Sequence, residues 1–141
     1  MKLRLIISGL IVIMLCVSGM ASAGEIIVIG NKSIVESSIK KQDLKNIFLG
    51  KKSTWSDNKK IVFYIQNSSS VSDQFFSEYV NKSSAQFSSY WKEKVFTGQG
   101  TPPKSFASDK EMIQIVSQTD GAIGYVSSGE GLDNVKKFTI E

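Results

Sequence analysis

Apolar positions along this 141-residue chain switch repeatedly between two periods. The run "GEIIVIGN" (24–31) is short, β-rich and closed by Gly-Asn, which predicts a buried strand. In "SIKKQDLKNIFLG" (38–50), Leu44, Ile47 and Phe48 fall at i, i+3 and i+4, and Gly50 stands where a C-terminal cap belongs; that pattern predicts a helix. "KKSTWSDNKK" (51–60) is a polar connection around Trp55, and "KIVFYIQ" (60–66) returns to a strand of β-branched and aromatic residues. Next comes "NSSSVSDQFF" (67–76), where Ser70 and Asp73 have the spacing of a capping box ahead of the apolar Phe75, Phe76, Tyr79 and Val80. A further helix is expected from about Ser84, with Phe87, Tyr90, Trp91 and Val95 on its apolar side. The Gly/Pro loop "TGQGTPPK" (97–104) ends it, since neither Pro102 nor Pro103 suits a helix interior. Ser108 and Glu111 form a full capping-box pattern opening "DKEMIQIVSQ", with Met112, Ile113, Ile115 and Val116 as its buried face. Gly121 stops that helix, "AIGYV" (122–126) is a strand, and "VKKFTI" (135–140) is another.

Strands and helices therefore interleave, which predicts an α/β layered domain with much of the sheet parallel. On such sheets ligands sit beyond the carboxyl ends of strands, at helix N-termini. Strand 60–66 leading into a helix near Ser70 puts the serine stretch in that place.

The first 23 residues change the charge picture. Lys2 and Arg4 precede an apolar run from Leu5 to Val17, and Ala21-Ser22-Ala23 offers a small-residue cleavage site. This predicts a cleaved secretory signal at 1–23 and a single domain at 24–141; the apolar run is short for a membrane span, and Leu15 before Cys16 is the wrong neighbour for lipid attachment. Without the signal, 17 basic residues become 15 against 13 acidic ones, with lysines in scattered pairs. That distribution is a solvated surface and excludes a nucleic-acid face.

Beyond the signal the sequence has no cysteine, histidine or arginine. Thiolate chemistry is excluded, and so are the usual general base and the commonest metal ligand. The S-x-x-K spacings (Ser37/Lys40, Ser56/Lys59, Ser89/Lys92) are what chance gives in a chain rich in both residues, and no K-T-G accompanies them. Gly98-Gln99-Gly100 lacks the Lys-Ser/Thr of a phosphate-binding loop, and Glu36, Asp43, Asp57 and Glu93 show no metal spacing. The expectation is a non-enzyme without cofactor or metal. Trp55 and Trp91 are expected to pack in the core.

The segment "DLKNIFLGKKSTWSDNKKI", a strand entering a serine-rich turn and aromatic helix, and then "GAIGYV" resemble, in order and spacing, the periplasmic phosphate-binding proteins of ABC transporters. The resemblance covers essentially all of 24–141 but only one of the two lobes of that family. It implies one lobe of a type II periplasmic-binding-protein fold: a mixed, mostly parallel sheet flanked by helices. Carried over residue by residue, Ser70 and Ser72 keep the hydroxyls of the family's binding turn. Val71 replaces its glycine, Gln66 its arginine and Ser68 the acidic partner of that arginine. The resemblance thus implies a secreted or periplasmic module that binds phosphate or a related oxyanion weakly through Ser69, Ser70 and Ser72, linked to phosphate transport. Helix capping alone would equally account for Ser70 and Asp73. Loss of the charged half of the turn suggests the alternative, a periplasmic accessory protein whose partner is a transporter permease or another periplasmic protein. Two copies meeting at the serine-bearing face would form a two-fold dimer.

Overall fold

The structure, a computed structural model, describes residues 25–67 and 69–141. The expected signal peptide at 1–23 and the turn residue Ser68 lie outside the described residues. Strand β1 (Ile27–Gly30) is central in a four-stranded sheet ordered β3-β6-β1-β7. Its partners are β6 (Ala122–Val126) and β7 (Lys136–Lys137), both antiparallel, with Ile27 opposite Val126 and Gly30 opposite Ile123. Strand β3 (Val62–Phe63) joins β6 in parallel. Two small parallel pairs complete the strands: β2 (Ser38–Ile39) with β8 (Thr139–Ile140), and β4 (Ile65–Gln66) with β5 (Ser105–Phe106). Three of these five pairings are parallel, so the mixed α/β architecture read from the sequence is the one formed.

The alternation of side chains along β6 explains why helices cover both faces. Ile123 and Tyr125 point into a core made with α1 (Lys41–Phe48), α2 (Ser69–Phe75) and α3 (Ser84–Phe96). Ala122 and Val126 point the other way, with Met112 and Val116 of α4 (Asp109–Gln118). A strand buried on both sides has to read as an unbroken apolar run, and "AIGYV" does.

Both tryptophans are core residues. Trp55 stacks on Phe138 at 5.8 Å, and its indole N–H donates to the Gly121 carbonyl at 3.0 Å. Trp91 donates to the Phe48 carbonyl at 3.0 Å. Gly50 ends α1 in the left-handed region (φ +71), and a β-carbon there would also lie 2.8 Å from Trp91 Cη2. Only glycine meets both conditions.

Several boundaries differ from the sequence reading. "KIVFYIQ" is two short strands because it changes partner at Tyr64: Tyr64 N–H donates to Ile123 in the main sheet, whereas Ile65 N–H donates to Lys104 beside β5. "VKKFTI" divides in the same way, β7 pairing with β1 and β8 with β2. Ser38 and Ile39 are strand, so α1 starts at Lys41. The Ser108–Glu111 pair forms only half of its box. Ser108 Oγ accepts from Glu111 N–H at 3.2 Å, while the Glu111 carboxylate accepts from Ala107 N–H at 2.9 Å. The complete capping box is the overlooked Ser83–Gln86 pair at the start of α3.

Candidate functional site

Strand β4 delivers the chain to the serine turn. It is anchored by Ile65 N–H to the Lys104 carbonyl (3.1 Å) and by Asn67 N–H to the Phe106 carbonyl (2.8 Å). Helix α2 then starts at Ser69, one residue earlier than the sequence suggested. Ser70 consequently lies inside the helix and is exposed, and it does not act as the cap of a box with Asp73. The Asp73 carboxylate accepts a hydrogen bond from the Ser84 hydroxyl instead, tying α2 to α3.

After Phe75 the helix widens into a π-turn, Phe76–Val80, closed by Asn81 at φ 56. The sequence reading expected ordinary helix here. The wider turn lets two consecutive phenylalanines both face inward: Phe75 stacks on Tyr125 at 4.0 Å and Phe76 on Phe87 at 4.1 Å. Such insertions are rare and recur near functional sites.

Ser72 points into the protein. It is buried with Gln66, and its Oγ donates to the Gln66 carbonyl at 2.7 Å while lying 2.7 Å from the Tyr125 hydroxyl. A serine has one proton, and a carbonyl can only accept. The Ser72 proton is therefore engaged by Gln66, and Tyr125 is the donor in the second bond. Burial pushes the Tyr125 phenol up to about 12, outweighing the bonds with Ser72 and Gln66 that pull it down, so the donating proton is retained. The same phenol oxygen accepts from Gln66 N–H at 3.0 Å.

Gln66, the residue in the arginine position, is equally occupied. Its side-chain amide donates to Asp109 Oδ1 at 2.7 Å and to the Tyr125 carbonyl at 2.9 Å, which uses both amide hydrogens. Asp109 also accepts from the main-chain N–H of Ser127 (3.1 and 3.2 Å) and from its hydroxyl (2.8 Å). The network thus joins β4, α2, α4 and β6. Sequence reasoning singled out Gln66 and Ser72 but not Asp109, Tyr125 or Ser127; the tyrosine inside "GAIGYV" was the one visible signal.

Gln66, Asn67 and Ser72 also border a groove of about 650 Å³, lined by the buried Phe76, Phe87 and Trp91. Asn67 is exposed at this border. Among the described residues no group of three or more histidine, cysteine, aspartate or glutamate side chains could hold a metal ion, and no helix is long and apolar enough to cross a membrane.

Residues 21–139 match the family model described as the PBP superfamily domain. No curated protein sequence matches the chain. Among solved structures, PstS from Borrelia burgdorferi is similar at 19% identity and TM-score 0.62, over 84% of this chain and 47% of that one. The ABC-type phosphate transport receptor from Vibrio cholerae is similar at 15% identity and TM-score 0.56, over 83% of this chain and 46% of that one. A phosphate binding protein from Stenotrophomonas maltophilia is similar at 16% identity and TM-score 0.54, over 83% and 39%. At these identities the likeness is one of fold. The chain spans less than half the length of each of these structures.

Proposed function

The chain belongs to the PBP superfamily domain family, and from that membership we propose that it is a secreted or periplasmic solute-binding module, linked to phosphate uptake, that takes phosphate or a related oxyanion weakly. The domain it would form is 24–141, after removal of the signal. The observation that supports this reading is the placement of the serine turn. Asn67 and Ser70 are exposed where β4 feeds α2, and among the described residues that line the groove beside them there is no carboxylate and Lys92 is the charged one. Anion contact would come from the Ser69–Ser70 end of the turn; the Ser72 hydroxyl can join only by releasing the Gln66 carbonyl. Affinity is held low because neutral Gln66 stands where the related binding turn has arginine, and because the Asp109 carboxylate lies behind it. Titration calorimetry with phosphate and with sulfate at low salt tests the reading. It expects millimolar binding that weakens as salt screens it. Absence of both heat and thermal shift at millimolar ligand overturns it.

The second reading, an accessory protein with no remaining anion site, is favoured by the closure of the Gln66–Ser72–Tyr125 network. Its partner would be a transporter permease, another periplasmic protein or a second copy of the chain. Sedimentation with and without phosphate separates the last case. Dimerisation that strengthens with phosphate and is lost in the Ser70→Ala/Ser72→Ala double variant supports an anion-bridged pair, and a monomer under both conditions removes it.

A further inference from the structure

Helix α3 presents two parallel rows to the groove beside the serine turn. Phe87, Trp91 and Val95 follow one another at i, i+4 and i+8, and so do Ser84, Ser88 and Lys92. On a helix such rows lie side by side, so the first makes an apolar floor and the second a polar rim in which Asp73 holds the Ser84 hydroxyl and Lys92 carries the charge. The opposite wall is Ile65, Phe76 and the Pro102–Pro103 pair. Phe96 closes the end of the groove and is 92% exposed.

We propose that this groove binds an anionic amphiphile, its apolar body on the aromatic floor and its head group at the Lys92 rim. The proposal rests on the oxyanion reading and extends it: the anion carries an apolar body. Three observations fix the class of ligand. The polar groups deepest in the wall, Gln66 and Ser72, already give their protons to protein acceptors, so a wholly polar solute finds few free donors there. Lys92 is the charged residue among the described residues that line the groove, and the Asp73 carboxylate at the far end of the rim is engaged by the Ser84 hydroxyl, which leaves Lys92 to select a negative head. The scale is that of a small molecule: about 650 Å³ falls in the range of roughly 300–1,000 Å³ usual for ligand sites. A protein partner would need a patch of about 800 Å² on this chain. The large apolar side chains exposed among the described residues are Val35, Val95 and Phe96, and only the last two border the groove. The π-turn beginning at Phe76 shapes the facing wall.

The test is titration of the secreted protein with octyl phosphate below its micelle concentration, with inorganic phosphate and with octanol, read by calorimetry and by tryptophan fluorescence. Trp91 lies in the groove floor, whereas Trp55 packs on Phe138 away from it. Octyl phosphate is expected to bind at least tenfold more tightly than either other probe. Lys92→Gln should weaken octyl phosphate several-fold and leave octanol unchanged; Phe96→Ser, at an exposed position, should weaken both. Octyl phosphate no tighter than inorganic phosphate overturns the groove proposal and leaves the oxyanion reading standing. Equal binding of octyl phosphate and octanol overturns the anionic head. Octyl phosphate binding without any inorganic phosphate binding supports the groove and removes free phosphate as the solute. Silence with all three overturns both readings, and binding only to vesicles of anionic lipid overturns the soluble ligand in favour of a membrane surface.

Discussion

At Gln66 and Ser72 every side-chain proton has a protein acceptor, while across the groove Val95 and Phe96 of α3 turn apolar surface to solvent. The two regions face the same groove and follow opposite rules. The first sits at the carboxyl end of β4, where ligands usually sit on such sheets, and its polar groups are internal ties between strands and helices. The second lies on a helix flank, and its uncovered groups are the apolar ones. The contrast teaches that a polar turn at the end of a strand can be structure, its proton donors engaged within the protein. The surface left open to solvent is then the apolar one on the neighbouring wall.

The contrast breaks most visibly at Trp91, which belongs to the groove and to the core at once. Its ring lies 5.5 Å from Phe63, and its N–H is held by Phe48. Trp91→Ala should cost about 3–5 kcal/mol in urea denaturation, since cavity and lost contacts add. A cost under about 1 kcal/mol would mean that the groove is a surface feature with no core beneath it.

Tyr125 tests the closed region. Removing its hydroxyl leaves Gln66 N–H without an acceptor and takes from Ser72 Oγ the bond it accepts, so Tyr125→Phe should cost about 1–3 kcal/mol at neutral pH. The ring stack on Phe75 survives that change. The hydroxyl also carries a pH dependence. Its folded pKa is raised by burial from 10.0 to about 12, so above pH 10 the unfolded chain releases this proton before the folded one does. Its contribution is complete below about pH 10 and is lost as pH rises through about 12, amounting to roughly 2–3 kcal/mol. Stability curves of wild type and Tyr125→Phe should therefore converge across that window; parallel curves would remove the buried phenol from the account.

The two serines of the turn sharpen the comparison further. Ser72→Ala leaves the buried Gln66 carbonyl and the Tyr125 hydroxyl each short of one bond, at about 1–3 kcal/mol, whereas exposed Ser70→Ala should stay within about 0.5 kcal/mol. Equal effects at the two sites would contradict the inward orientation of Ser72. The smallest change is expected at Phe96. Phe96→Ser should leave the melting temperature nearly unchanged because the ring has almost nothing to lose on unfolding. A clear loss of stability there would show that Phe96 packs in solution.

How legible each part was follows from the range of the forces involved. Leu44, Ile47 and Phe48 announced α1, and "AIGYV" announced a strand, because periodicity is written locally. The order of elements, and with it the location of the serine turn at a strand end, was legible for the same reason. The division of "KIVFYIQ" and "VKKFTI" was not, since each segment keeps its strand character and merely changes partner at Tyr64 and Phe138. The π-turn was hidden too: Phe75, Phe76, Tyr79 and Val80 satisfy ordinary helical spacing, and only Tyr125 and Phe87 on other elements demand that both phenylalanines turn inward.

The residues by themselves determined the interleaved α/β order, the absence of histidine, cysteine and arginine beyond the first 23 positions, and hence the limits on any site. Tertiary structure alone decided that Ser72 faces inward and Ser70 outward. It also decided that Gln66 spends both amide protons on Asp109 and Tyr125, and that a groove opens along α3. The physical reason is that a hydroxyl or amide carries the same donors wherever it stands. The acceptors that take the Gln66 amide protons are groups 43 and 59 residues away in the chain, brought within 3 Å only by the packing of β4, α4 and β6.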